Sequence, residues 1–318
     1  VLLAVGDVDK HIEKIQERAE SQTLGKSMGA IITKEQLDFL NGAIENDWKY
    51  LPLIKAFSAM SALLHDWGKA SKLFQEKLSP KSKNRFKGDP IRHEWISVLL
   101  LNALIHSSSK NNANHFNDED WLSALIEGDI KEQALKQVVP LNTTNPLTEL
   151  PSAAKLMAWL IVSHHRLPLT RSDWRDEKAF NIDFVLKNIT QEWGYENKQN
   201  PGEYEKRIKQ CFEFPNGLLA QSSEWIKQVK RWANSLKQCL PLVESAISDG
   251  SYRLVLHHAR LCLMLGDHYY SSQDKAKSWQ NSTGLFANTD RKTSDYKQKL
   301  DEHLVGVAKA ALNTAHLL

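Results

Sequence analysis

The sequence predicts an all-α domain folded around a metal site. Three observations carry that prediction. Strand-like alternation is rare after residue 10, whereas apolar residues recur at helical spacing in several long runs. Four of these helical segments carry histidine or aspartate where the apolar stripe ends: His65-Asp66, His93, His164-His165 and Asp267. The three cysteines, Cys211, Cys239 and Cys262, are isolated and read as reduced packing residues, not a disulfide or zinc framework.

The elements follow in order. Val1 to Val5 reads as a short strand closed by Gly6-Asp7, and residues 8–20 as a helix. A second helix runs from about Thr33 to Ile44. Leu51 to Lys77 reads as helical straight through His65-Asp66. A basic loop with Pro80, Gly88 and Pro90 fills Lys72 to Arg92. Ile91 to His106 is a very apolar helix, and residues 107–120, rich in Ser and Asn, form a loop. A short helix near Trp121 to Ile126 precedes a poorly patterned stretch to Leu150. Pro151-Ser152 opens an apolar helix that reaches His164-His165, and Pro168 stops it. Residues 171–250 alternate charged helices with loops near Pro201 and Pro215. Tyr252 to Ser272 is one long helix, and the last helix spans about Asp295 to Leu318.

Composition narrows the functional classes. With 318 residues, 42% of them hydrophobic and 25% charged, the chain can bury a globular core. No apolar run reaches the ~18 residues of a membrane span, so no membrane partner and a cytoplasmic location are expected. The chain lacks an initiator Met and is expected to be a fragment of a longer polypeptide. A net charge of +3 leaves nucleic-acid binding to local patches.

The pair His65-Asp66 is the centre of the chemical reading. An imidazole and a carboxylate side by side can bridge two ions, and Lys69 lies one turn beyond on the same side. One such histidine is usually a hydrogen-bonded core residue; the joint occurrence on four helices is what points to ligands. A nitrogen-rich set with one bridging carboxylate favours Mn, Fe, Ni or Co, with Zn and Mg behind them. Two ions of that kind suit hydrolysis of a phosphate ester. Basic residues offer paths for a single strand: Lys72, Lys77, Lys81, Lys83, Arg85, Lys87 and Arg92 in the loop, then Arg166, Arg171 and Arg175 after the His-His pair. Gly25-Lys26-Ser27 is no phosphate loop, because Glu20 stands where the pattern needs glycine. His257-His258 and His268 read as surface or interhelical residues, and Trp67 either walls the site or packs.

The order His65-Asp66-x-Gly68-Lys69, then a His, a His-His pair and an Asp, resembles the HD metal-dependent phosphohydrolase superfamily. Ala62 to Ala70 followed by Phe74-Gln75-x-Lys77-Leu78 resembles the nuclease domain of the type I CRISPR-associated nuclease–helicases. Glu45-Asn46-Asp47-Trp48, Arg92-His93-Glu94-Trp95-Ile96-Ser97, Ser163 to Pro168 and Gly266 to Ser272 are similar to the I-F branch. The resemblance implies an HD-domain helical bundle around a dinuclear metal site and a nuclease cutting single-stranded DNA. It implies that Asp66 bridges both ions, that His93, His164 and His165 hold one, and that His65, Asp267 and a further histidine hold the other. Lys69 would neutralise the scissile phosphate or orient the water, and Ser271 would support Asp267.

Two segments compete for the further histidine. His11 has the family's position; Leu300-Asp301-Glu302-His303-Leu304 has the better pattern, and His303 is preferred, with a circularly permuted bundle as the implied fold. Residues 1–45 are then the tail of a fused CRISPR integration-associated α/β domain plus linker, and 46–318 the nuclease domain. The resemblance also implies an ATP-driven helicase outside this chain, an RNA-guided effector complex and phage-encoded inhibitors as partners. An HD phosphohydrolase acting on nucleotides or cyclic dinucleotides is the first alternative, against which the Phe74 to Leu78 extension and the basic loop speak. An inactive HD-fold interaction module is the second.

Overall fold

The computed structural model describes residues 48–82, 88–109, 116–138, 146–167, 181–189, 201–274, 276, 278–279, 283–290 and 292–317. The strand and helices expected before residue 46, His11 among them, lie outside these residues. Tyr50–Leu318 forms a compact unit of its own. Its described residues contain twelve α-helices and no named strand.

The first helix, α1 (Leu51–Leu64), is the central element. It is apolar on nearly every side, and Leu53, Ile54, Phe57, Met60, Leu63 and Leu64 are fully buried. A helix without a polar face must be surrounded. Around it pack α6 (Ser152–Ser163), α9 (Ser223–Gln238), α11 (Tyr252–Ser272) and α12 (Leu300–Ala315). In α9 the buried residues Trp225, Val229, Ala233 and Leu236 recur every three or four positions and form one stripe.

The helix expected to continue from Leu51 to Lys77 is instead broken. α1 ends at Leu64, Asp66 leaves helical geometry at φ −104°, ψ 12°, and Trp67–Ala70 forms a single 3-10 turn. A separate helix, α2 (Lys72–Leu78), follows and occupies the start of the expected basic loop. The turn after the break needs glycine at position 68. A Cβ there would collide with the carbonyl of His93 and the backbone of Ser97, so the turn sits directly on the first turn of α3 (His93–Ser108).

The remaining helices close the bundle. α4 (Asp118–Glu127) is capped by Asn117 and ends at Gly128, whose φ of 79° is left-handed. α5 (Glu132–Val138) falls in the stretch that showed no pattern; Leu135 is its fully buried apolar contact. α7 (Ile182–Lys187), α8 (Pro201–Cys211) and α10 (Leu240–Asp249) complete the set. α12 starts at Leu300, later than the expected Asp295. The residues before it pair antiparallel through Phe286 with Lys299 and Thr289 with Tyr296. Buried carboxylates tie these parts together. Asp118 accepts from the Ala153 and Ala154 N–H groups at the start of α6 and from Trp121 Nε1. Asp301 accepts from Ser222 Oγ at 2.7 Å.

Candidate metal centre

Five elements deliver the site. The break after α1 places His65 and Asp66 at the buried end of the central helix. The first residue of α3 is His93, the C-terminal end of α6 supplies His164 and His165, α11 supplies Asp267, and α12 supplies His303. The last two helices come unusually close. A Cβ at Gly266 would lie 2.8 Å from Ala311 N, and one at Gly306 would enter the Tyr270 ring. Glycine at both positions lets α11 and α12 bring Asp267 and His303 to the same point.

Asp66 is the hub. Its Oδ1 lies 2.9 Å from His93 Nε2 and 4.0 Å from His164 Nε2. Its Oδ2 lies 3.2 Å from His303 Nε2, 3.3 Å from His65 Nε2 and 2.6 Å from Lys69 Nζ. Asp267 Oδ1 lies 3.4 Å from His303 Nε2 and 4.0 Å from His65 Nε2. Two ligand-type groups result, Asp66–His93–His164–His165 and His65–Asp66–Asp267–His303, with Asp66 common to both. In each group one donor atom per residue falls within 4.8 Å of all the others.

The donor atoms fit cations. His65 Nδ1 faces Ala62 O at 2.8 Å, His164 Nδ1 faces Ile161 O at 2.7 Å, and His303 Nδ1 faces Gln298 Oε1 at 3.2 Å. A carbonyl can only accept, so each Nδ1 carries a proton, which leaves Nε2 as the nitrogen able to ligate. Those Nε2 atoms face carboxylate oxygens. The Nε2 atoms of His65, His93, His164 and His303 and both Asp66 oxygens are buried without an aligned hydrogen bond. Nitrogens and carboxylate oxygens gathered face to face in a buried site need protons or cations between them.

The charge balance agrees. Burial drives the pKa of His164 well below the ordinary imidazole value and lowers that of His165 too, which keeps both rings neutral and able to ligate. Burial opposes ionisation of Asp66, but His65, Lys69 and His93 outweigh it and hold its pKa far below the carboxylate range. Asp267 is also held low against burial, chiefly by the His303 ring, whose Nε2 lies 3.4 Å from Oδ1. Burial opposes charge on His65, yet Asp66 and Asp267 together raise its pKa.

The other expected residues divide. Ser271 Oγ donates to Asp267 Oδ1 at 3.0 Å and stands behind that carboxylate. Lys69 faces the site over Asp66, and its ammonium lies 5.5 Å from the centre of the Phe74 ring. Lys72 and Arg92 are engaged elsewhere: Lys72 Nζ pairs with Glu213 at 2.7 Å, and Arg92 pairs with Glu94. Lys81 and Arg166 are exposed, while Lys83 and Lys87 lie outside the described residues. Trp67 packs rather than lining the site. Its Nε1 donates to Leu218 O and its ring contacts Trp225. His268 is exposed and in neither ligand-type group; His258 Nδ1 contacts Leu254 O on its own helix.

Two residues went unread. Glu94 is a buried carboxylate with Oε2 3.5 Å from His93 Nδ1. Gln298 is fully buried against His303. Glu94 is the single carboxylate in the apolar run from Ile91 to His106, a signal that could have found it, whereas Gln298 lies in no apolar run.

A helical bundle that gathers five histidines and two aspartates around a His-Asp pair at a helix end is an HD-type metal-site fold. The family comparison is more particular: residues 36–250 match the family described as Cas3, HD domain, and the chain belongs to that family. The matched span holds His65, Asp66, His93, His164 and His165 and ends before Asp267 and His303. Two curated relatives extend over most of the chain. Both are named CRISPR-associated nuclease/helicase Cas3 subtype I-F/YPEST. The one from Pectobacterium atrosepticum is 34% identical over 288 residues, which is 86% of this chain and 25% of the relative. The one from Pseudomonas aeruginosa is 35% identical over 294 residues, 89% of this chain and 26% of the relative. The chain thus spans about a quarter of the length of these relatives. Among the described residues, no helix is long and apolar enough to cross a membrane.

Proposed function

We propose that this domain is a nuclease that cuts single-stranded DNA by two-metal phosphodiester hydrolysis. The observation that carries the reading is the pair of ligand-type groups sharing Asp66, with imidazole Nε2 atoms converging on buried carboxylates. Asp66 with His93, His164 and His165 would hold one ion, and Asp66 with His65, Asp267 and His303 would hold the other. Two bound divalent ions, of the Mn, Fe, Ni or Co type that suits imidazole, would supply charge neutralisation at the phosphoryl group and acidification of a water.

The chain's own residues do the rest. Lys69 sets an ammonium beside Asp66, where an incoming phosphate needs a counter-charge. Ser271 fixes the Asp267 carboxylate by its hydrogen bond. Neutral His164 and His165 present nitrogen donors without losing a proton first. Lys81 and Arg166 are exposed and steer the strand by its phosphates; Lys72 and Arg92 pair with Glu213 and Glu94 and contribute less. In the longer polypeptide this domain works beside an ATP-driven helicase and an RNA-guided effector complex during CRISPR interference, where phage-encoded inhibitors would act.

The test is substrate choice under one set of conditions. With Mn, circular single-stranded DNA should be cut, while nucleoside triphosphates and cyclic dinucleotides stay intact, and Asp66→Ala should abolish cutting with helical circular dichroism preserved. Hydrolysis of the small phosphate esters alone would establish the nucleotide-hydrolase reading instead.

A further inference from the structure

Gln298 sits next to the candidate centre, and every hydrogen-bonding group of its side chain is assigned. Its Nε2 donates to two main-chain carbonyls at the end of α11, Tyr270 O and Gln273 O, each at 2.9 Å. Carbonyls cannot donate, so the amide nitrogen must occupy that side. The oxygen therefore faces the other way. There Oε1 accepts from Asn288 Nδ2 at 2.8 Å and faces His303 Nδ1 at 3.2 Å. The orientation of Asn288 is fixed independently, because its Oδ1 accepts the Gln298 backbone N–H at 3.0 Å. Neither amide can flip without breaking bonds to the main chain.

We infer that Gln298 is a positioning residue that fixes the tautomer of His303. An oxygen held toward Nδ1 requires the proton on Nδ1. Nε2, which faces Asp66 Oδ2 at 3.2 Å and Asp267 Oδ1 at 3.4 Å, is then the nitrogen left to hold an ion; without one, the two carboxylates attract a proton there as well. The inference rests on the proposed ligand role of His303. His65 and His164 obtain the same tautomer from carbonyls of their own helices, Ala62 O and Ile161 O. His303 does not: it lies in the first turn of α12, where Lys299 O already accepts the His303 N–H at 2.9 Å, whereas Ala62 O and Ile161 O belong to last turns, whose carbonyls lack intrahelical partners. A side chain from the preceding segment takes over that role. The paired segment from Phe286 to Lys299 acquires a purpose as well: it carries both Asn288 and Gln298 to the back of the ligand.

The test has two arms. In the 318-residue chain, labelled with 15N-histidine and loaded with diamagnetic Zn, long-range proton–nitrogen spectra show which nitrogen of each ring keeps its proton. The His303 ring, assigned by its absence in His303→Ala, should keep the proton on Nδ1; a ring that keeps it on Nε2 overturns the inference and needs no variant to do so. In Gln298→Met, which keeps the volume and removes the acceptor, Mn affinity at one of two calorimetric steps should fall ~10–100-fold, as for other outer partners of metal-bound histidine. Unchanged affinity in a folded Gln298→Met protein also overturns it. Failure of the underlying ligand role looks different: His303→Ala would then bind both ions at full affinity, whatever tautomer the wild-type ring shows.

Discussion

His303 Nε2 lies 3.2 Å from Asp66 Oδ2, so the last helix of the domain meets the turn that ends its first described helix. That contact makes α12 part of the candidate centre, although the matched family span stops at residue 250. If His303 holds the second ion, His303→Ala should bind one Mn ion per chain where the wild type binds two. Its loss of cleavage should exceed the ~10–100-fold typical of an outer partner. His11→Ala should match wild type in both measurements. The reverse ranking would return the ligand role to the N-terminal segment.

Gly68→Ala tests the break between α1 and α2. The added Cβ meets the His93 carbonyl and the Ser97 backbone, neither of which can swing aside like a side-chain tip. The Gly68 N–H also donates to Ser97 Oγ at 2.8 Å, and Ser97 Oγ donates to His93 O at 2.9 Å. Overpacking here should cost about 1–3 kcal/mol in urea unfolding. Displacing His93 should weaken Mn binding as well. Full stability with full Mn affinity would show that the turn does not position the site.

The all-α class, the family and most helices were legible because burial writes itself as periodicity, as in α1 and α9. The convergence of His65, Asp66, His93, His164, His165, Asp267 and His303 was legible for a different reason. Imidazoles and carboxylates at the ends of apolar stripes are costly to bury unless they meet something. What the sequence hid was local geometry. Trp67-Gly68-Lys69-Ala70 satisfies a helical pattern, and only the structure shows the 3-10 turn seated against α3 at Gly68. Gln75 reads as part of a family motif, but the structure makes it a stitch. It donates to Lys69 O and Phe286 O and accepts from Phe286 N. Gln298 and Asn288 carry no pattern, since their partners are main-chain groups distant in sequence.

The basic residues near the site separate by their partners. Lys72 pairs with Glu213 and Lys77 with Asp89, whereas Lys81 is exposed in the turn after α2. Lys81→Ala and Arg166→Ala should each weaken binding of single-stranded DNA and lower the slope of log affinity against log salt by ~0.7, the value per neutralised phosphate on a single strand. Lys72→Ala should change the slope far less. Equal slopes for all three variants and wild type would remove these side chains from the strand's path.

Metal should stabilise the fold, because ions would add ligand bonds at a buried centre. Four imidazole Nε2 atoms and both Asp66 oxygens lack aligned hydrogen bonds there, and ions would ligate them. An ion that binds only the folded chain at 100 times its Kd adds about 2.7 kcal/mol. For a domain of this size, with an unfolding entropy of ~2.1 cal/mol/K per residue, that corresponds to a rise in Tm of about 4–5 °C per site. Scanning calorimetry of the chelated chain against the Mn-loaded chain should show such a rise. Asp66→Ala, which lacks the shared carboxylate, should show almost none. A Tm that ignores Mn in the wild type would mean that the converging Nε2 atoms and carboxylates are not a metal site.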